Sequence, residues 1–245
     1  MASVEAVVAA AGTPAEFRCD RTLNLYKTPT LEGLVTQLAV GRQVAVLQAQ
    51  PGQAVQLRSC EDDYPGWLSF NEVDGLTPAP AYVAPQPSAA TIQARIPQVM
   101  AFAQAAMAVP NRYYWGGTVE PNYDCSGLTQ SAFAAAGIWL PRDSYQQEAF
   151  TQPIEENDLQ PGDLIFFGTA ARTTHVALHL ADGRYLHSSG KDQGRNGIGI
   201  DALRAPTDPI SQAYLKQFRC CGRVVRSYRP TGTPIPLRTD TVQLH

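Results

Sequence analysis

The chain has 245 residues, enough for one large or two modest domains, with an ordinary apolar share and a net charge of −3. Without a Lys/Arg stripe, that balance excludes a nucleic-acid partner and a polybasic membrane anchor, and no apolar run approaches the roughly 18 residues of a membrane span. The cysteines, five in all (Cys19, Cys60, Cys125, Cys220, Cys221), are an odd number without C-x-x-C spacing, so reduced thiols are expected rather than a disulfide framework or a cysteine metal site.

In chain order, the mildly apolar start at residues 7–11 carries Glu5 and no Lys or Arg before Arg18, which is not the charged leader of an exported protein; a cytoplasmic location is expected. Residues 1–75 read as a small all-β barrel. Strands are predicted at 16–19, 22–26, 43–48, 54–58 and 66–70, separated by Pro and Gly at Pro29, Gly33, Gly41, Pro51-Gly52 and Pro65-Gly66. Residues 76–91, with Pro78, Pro80, Pro85 and Pro87, read as a stiff linker. Residues 92–245 then form an α+β domain. Its first helix is predicted over 92–109, with Thr91 as cap and Pro97 tolerated near the first turn, and it is expected to pack on the helix that follows Cys125. Strands follow at 163–168, 174–180, 184–189, 197–201 and 218–226, with a helix near 210–218. The Pro-containing end, 228–245, is expected to run extended along the surface.

Cys125 is the candidate nucleophile. Residues 128–136 are strong helix formers stopped by Gly137, so Cys125 opens a helix, where unpaired backbone N–H groups and the macrodipole favour a thiolate. A cysteine nucleophile needs a base, and His175 and His187 lie in predicted strands. If Ala181-Asp182-Gly183 is a three-residue loop, or if a bulge intervenes, pairing residues whose numbers sum to 364 puts both rings on one face as diagonal neighbours. A plain two-residue loop puts them on opposite faces. His179 and His245 read as structural or incidental. A zinc pair at His175 and His179 fails on a strand, because four residues separate the rings by roughly 13 Å while zinc bonds are near 2 Å. No metal or cofactor is expected. Cys220 and Cys221, adjacent on a predicted strand, are expected to be one buried and one partly exposed.

The set Asp124-Cys125-Ser126-Gly127, preceded by Tyr113-x-Trp115-Gly116-Gly117 and followed by Pro161-Gly162-Asp163-Leu164, Thr174-His175-Val176-Ala177 and Tyr185-Leu186-His187, resembles the NlpC-type cell-wall cysteine peptidases. The resemblance covers about residues 92–226, and the first 75 residues, with Gly66-Trp67-Leu68, resemble the bacterial SH3-like barrel that precedes such domains. It implies a papain-like α+β fold and a Cys125–His175–His187 triad, with His175 as base then acid, His187 orienting it, and Tyr113 helping the Cys125 N–H hold the oxyanion. It further implies a γ-D-glutamyl–diamino acid endopeptidase acting on muropeptides with a free N-terminal L-Ala. Asp124, a carboxylate that alone opposes thiol ionisation, is then expected to hold the substrate amine with Ser126, Ser144 and the barrel's Tyr64, while Glu61 or Asp63 is the acidic barrel candidate. The alternatives are an exported autolysin acting on polymeric wall and a non-catalytic binder of wall peptides.

Overall fold

The computed structural model describes residues 1–50 and 52–237. They divide into two compact units, one of Met1–Tyr82 with residues from Pro230 on, the other Val83–Arg229.

The first unit opens with α1 (Val4–Ala9), capped by Ser3, whose Oγ accepts from the Ala6 N–H at 3.2 Å. Seven strands follow: β1 (Glu16–Cys19), β2 (Leu23–Tyr26), β3 (Leu34–Leu38), β4 (Gln43–Gln50), β5 (Ala54–Ser59), β6 (Pro65–Ser69) and β7 (Leu76–Ala79). They form one antiparallel sheet in the order β3-β2-β6-β5-β4-β1-β7. Alternate residues such as Leu23, Leu25, Val44, Val46, Val55 and Leu57 enter its core. Two strands were absent from the sequence reading. The short β3 follows a glycine turn, and β7 occupies residues expected to begin the linker. There Pro78 pairs opposite Phe17. It is tolerated because β7 is an edge strand, where a missing N–H costs no ladder bond. Residues 230–237, expected beside the catalytic part, group with this unit because the Asp63 carboxylate accepts from the backbone N–H of Thr231 at 2.7 Å and Gly232 at 3.1 Å. The rest of the expected extended end, 238–245, lies outside the described residues.

The second unit begins with α2 (Ala89–Ala108), three residues longer at its start than predicted because Ser88 rather than Thr91 is the cap, its Oγ accepting from the Thr91 N–H at 3.1 Å. A small hairpin, β8 (Thr118–Val119) and β9 (Asn122–Tyr123), leads into α3 (Cys125–Ala135) and then α4 (Ser144–Phe150). The remaining elements are β10 (Gln152–Ile154), β11 (Leu164–Gly168), β12 (Thr173–Ala181), β13 (Arg184–Ser189), β14 (Gly197–Ala202), α5 (Pro209–Leu215) and β15 (Phe218–Arg223). The strands make an antiparallel sheet ordered β10-β15-β11-β12-β13-β14, so this unit is α+β.

That sheet is buried on both faces, which explains the unbroken apolar run at Leu164-Ile165-Phe166-Phe167. Leu164, Phe166, Val176, Leu178 and Leu186 join the core that includes Val99 of α2 and Leu128 and Phe133 of α3. Their neighbours Ile165, Phe167, Ala177 and Tyr185 join a second core with Tyr214 of α5. Cys221 is buried in that second core while Cys220 is half-buried, as expected for adjacent strand positions.

Candidate active site

Cys125 is the first residue of α3, and Asp124 is its N-cap. The chain can bring the preceding loop this close only because two glycines meet there. A Cβ on Gly127 would sit 2.0 Å from the Gly117 carbonyl oxygen, and one on Gly117 would sit 2.5 Å from the Asn122 carbonyl oxygen. The Asp124 N–H donates to that Gly117 oxygen at 3.1 Å, fixing the entry to the helix.

The Asp124 carboxylate is consumed within the fold. Oδ1 accepts from the Gly127 N–H at 2.6 Å and from Arg142 at 3.1 Å, and Oδ2 accepts from the Gly116 N–H at 2.8 Å and from Arg142 at 2.6 Å. Ser126 Oγ donates to Oδ1 at 3.3 Å and accepts from Arg142 at 2.9 Å. Arg142 is 1% exposed. The carboxylate expected to hold a substrate cation thus already has a bidentate guanidinium as partner within the fold, the strongest partner a carboxylate has. Arg142 went unassigned in the sequence because it is seventeen residues past the nucleophile with no local pattern tying it back.

Gln147 of α4 completes the clamp. Its amide donates to the carbonyls of Ser126 at 3.0 Å and Pro141 at 2.9 Å and accepts from Thr129 Oγ1 at 2.8 Å. Ser144, at the start of α4, is buried beside this clamp. Tyr113 is half-buried within electrostatic reach of Cys125 and Asp124, and burial raises its pKa well above the ordinary value, so it keeps the proton that a donor to an oxyanion needs. Tyr64 belongs to the first unit, in the turn between β5 and β6, and is buried. In that unit Glu61 pairs with Arg42 at 3.2 Å and Asp63 with Arg58 at 2.7 Å, so neither acid is a free charge.

The β12–β13 hairpin uses the bulge. Ala181 pairs with Arg184 across a two-residue turn, Asp182-Gly183, in which both φ angles are positive (53° and 69°). The register then shifts, and His179 pairs with Tyr185 and Leu178 with Leu186, the numbers summing to 364. The two rings consequently meet, with His175 Nε2 and His187 Nδ1 2.7 Å apart. His179 points elsewhere, its Nδ1 2.9 Å from the Gln160 carbonyl oxygen, and among the described residues no cluster of His, Cys, Asp or Glu suits a metal.

Beyond the pair lies a residue that the sequence reading missed. His187 Nε2 is 2.7 Å from Asp201 Oδ2 on β14, and Arg195 donates to Asp201 Oδ1. Asp201 pairs opposite Tyr185 and is thus the diagonal neighbour of His187 on the same face. The β13–β14 connection is too irregular for that register to be read from sequence; the signal present was an acidic residue ending the apolar run Gly197-Ile198-Gly199-Ile200. Tyr214 of α5 packs on both imidazoles, its ring centroid 4.6 Å from that of His175 and 4.8 Å from that of His187. Its hydroxyl is 2.8 Å from Ser189 Oγ.

Cys125 and the histidines are joined through β12. The backbone N–H groups of Val176, next to His175, and of Ser126 favour the charged form of the Cys125 thiol. The thiol is nevertheless not poised to ionise alone. Burial, and then the Asp124 charge, push it up to about 12, against the helix-start expectation, while the two N–H groups and Arg142 offset only part of that. Burial holds His175 well below its ordinary value, with His187 adding to the effect, and burial lowers His187 despite Asp201. Burial thus disfavours the charged form of each of the three groups taken singly.

The NlpC/P60 family model matches residues 110–236, just over half the chain, and a model described as the bacterial dipeptidyl-peptidase Sh3 domain matches residues 25–71. The probable endopeptidase p60 of Listeria seeligeri is 36% identical over 101 residues, 41% of this chain and 18% of that protein. The bifunctional muramidase/DL-endopeptidase CwlT of Bacillus subtilis is 43% identical over 81 residues, 31% of this chain and 25% of that protein. The match thus spans a quarter or less of these relatives. A crystal structure of an NlpC/P60 family protein from Bacillus cereus is similar over 89% of this chain and 66% of that one, with 20% identity and a TM-score of 0.47.

Proposed function

This chain belongs to the NlpC/P60 family, and from that premise we propose that it is a cysteine endopeptidase that hydrolyses the γ-D-glutamyl–diamino acid bond of peptidoglycan stem peptides. The observation that carries the reading is the hydrogen-bonded pair His175–His187 on adjacent strands, in the unit whose helix α3 opens with Cys125.

In the proposed reaction Cys125 Sγ attacks the γ-carbonyl carbon of D-Glu and its proton passes to His175 Nδ1. Because each group alone resists charging, the charges appear as a pair when the bond to carbon forms, with the imidazolium backed by His187. The Cys125 N–H and the protonated Tyr113 hydroxyl serve the oxyanion of the tetrahedral intermediate. Its collapse breaks the C–N bond, and His175 gives its proton to the departing diamino acid amine. Water then attacks the thioester, its proton passing through His175 back to sulfur as the glutamyl carboxylate leaves.

Within this reading the preferred substrates are soluble muropeptides with a free N-terminal L-Ala, handled in recycling. Asp124, Ser126 and Ser144 are the proposed contacts to the amine end, because Arg142 and Gln147 tie their segments to the nucleophile's turn. Incubation with L-Ala-γ-D-Glu-diaminopimelate and with its N-acylated form tests both levels. The free tripeptide is expected to be cleaved, the acylated one far more slowly, and Cys125→Ala is expected to cleave neither. Activity in Cys125→Ala overturns the mechanism; equal cleavage of the two peptides overturns only the amine preference.

A further inference from the structure

The family reading needs His175 to present a free lone pair to the thiol, and neither imidazole fixes that by itself. Neutral imidazole carries one N–H and one acceptor nitrogen, and a pair of them can bond in either sense. In one sense His175 Nε2 donates to His187 Nδ1, leaving His175 Nδ1 bare. In the other His187 Nδ1 donates, the proton of His175 sits on Nδ1, and the base is blocked.

We infer that Asp201, held by Arg195, is a positioning residue that sets the tautomers of both histidines and so keeps His175 Nδ1 free as the base. Its carboxylate only accepts. The 2.7 Å contact to His187 Nε2 therefore requires an N–H on Nε2, which leaves His187 Nδ1 as an acceptor. The 2.7 Å contact to His175 Nε2 must then be a donation from His175, and the remaining nitrogen of His175 carries no proton. The donations run from His175 through His187 to Asp201, where Arg195 donates from the other side, and both rings are buried. Tyr214, packed against both imidazoles, keeps either from rotating out.

Arg195 has a distinct part. It donates to Asp201 Oδ1 and has no acceptor of its own. In the wild type it orients the carboxylate, but it also decides what an amide does in that place. In Asp201→Asn one end of the side chain is C=O and the other NH₂. Turning NH₂ toward Arg195 sets donor against a cation, so the C=O goes to Arg195 and the NH₂ faces His187. His187 Nε2 must then accept, its proton moves to Nδ1, and the reversal passes to His175. Removing Arg195 as well frees the amide to flip, restoring an acceptor to His187 Nε2.

This inference rests on the reading of Cys125 and His175 as nucleophile and base, and the experiment separates the two. Hydrolysis of L-Ala-γ-D-Glu-diaminopimelate is measured for wild type, Asp201→Asn, Arg195→Met and the double variant. The ring ¹⁵N shifts of His175 and His187 are recorded in each. Asp201→Asn is expected to lose kcat by on the order of 10⁴-fold with KM little changed, the scale found when an active-site histidine is held in the wrong tautomer. Arg195→Met is expected to lose less than about tenfold, and the double variant to recover at least about tenfold over Asp201→Asn. In parallel the His187 Nε2–H signal disappears in Asp201→Asn and returns in the double variant. A double variant as poor as or poorer than Asp201→Asn, or unchanged ring tautomers in Asp201→Asn, overturns the inference, because a packing role predicts that the two losses add. If instead Cys125→Ala still hydrolyses the tripeptide, the functional reading fails, while the tautomer measurement stands independently of it.

Discussion

At the scale of single residues the site is built from charges matched in place. Asp124 beside the nucleophile raises the thiol, and Arg142 offsets part of that while tying Ser126 to the same ion pair. Breaking a buried pair of this kind from one side typically costs about 3–5 kcal/mol, so the pair is a structural commitment of the loop after α3. The buried imidazoles make a different commitment, to neutral pH. Folded His175 and His187 titrate below their ordinary range near 6.5, chiefly through burial. Above that range neither the folded nor the unfolded chain holds the protons, and the histidines contribute nothing to pH dependence. As pH falls below about 6.5 the unfolded chain takes up protons that the folded chain refuses, so stability drops by about 1.4 kcal/mol per pH unit for each histidine until the folded value is reached. The urea midpoint of the wild type is therefore expected to fall between pH 7 and pH 5 by more than that of His175→Gln; equal falls would mean that His175 titrates normally in the fold. The residue identities at Cys125, His175 and His187 were legible because each sits in a local pattern of helix or strand. Arg142 and Asp201 were not, because their partners are distant in sequence and their registers depend on irregular connections.

At the scale of elements, two junctions decide where the chemistry sits. One is the β12–β13 turn, where the two-residue Asp182-Gly183 connection would place the rings on opposite faces if the ladder ran on unbroken. The bulge next to Ala181 corrects the register within two residues, so the sequence argument from loop length held only through its bulge alternative. The other junction is the start of α3, where the Gly116-Gly117 loop presses on the first helical turn. Gly127→Ala puts a methyl into the Gly117 carbonyl, a backbone atom that cannot swing aside. Overpacking of this sort costs about 1–3 kcal/mol, and relief must come from moving the turn that carries Cys125. Gly127→Ala is accordingly expected to lose at least about tenfold in kcat/KM alongside that stability, whereas Ala132→Gly, in the same helix but away from the loop, loses stability through helix propensity of about 1 kcal/mol with its kcat retained. Full activity in Gly127→Ala would show that the close approach is not needed for the nucleophile's position. The spacing of Gly116, Gly117 and Gly127 was visible in the sequence; that Gly127 faces Gly117 was not, since the contact crosses the β8–β9 hairpin.

At the scale of the whole chain, each unit keeps its apolar core to itself. The core around Leu23, Val44 and Leu57 draws only on the first unit, while the two cores on either face of the second sheet draw only on residues between Ile92 and Val224. The groups that hold the histidine relay, from Asp201 and Arg195 to Tyr214, also lie within Val83–Arg229. A segment of this length, with a six-stranded sheet covered on both sides, is within the size range of independently stable domains. Its N-terminal end falls in the Pro-rich stretch that composition marked as a boundary, though β7 moves the last strand of the first sheet four residues into it. The C-terminal cut at Arg229 follows the grouping of Pro230 onward with the first unit, which composition did not reveal because the anchor is one distant residue, Asp63, whose carboxylate and backbone carbonyl accept from Thr231, Gly232 and Ile235. A fragment of residues 83–229 is thus expected to unfold in one cooperative urea transition and to show the His187 Nε2–H signal of the full chain. An expanded, non-cooperative fragment, or one lacking that signal, would mean that the second unit depends on the first for its packing or for the order of its site. Retention of the signal with altered peptide selectivity would instead place the chemistry in residues 83–229 and assign to the first unit a part in choosing the substrate.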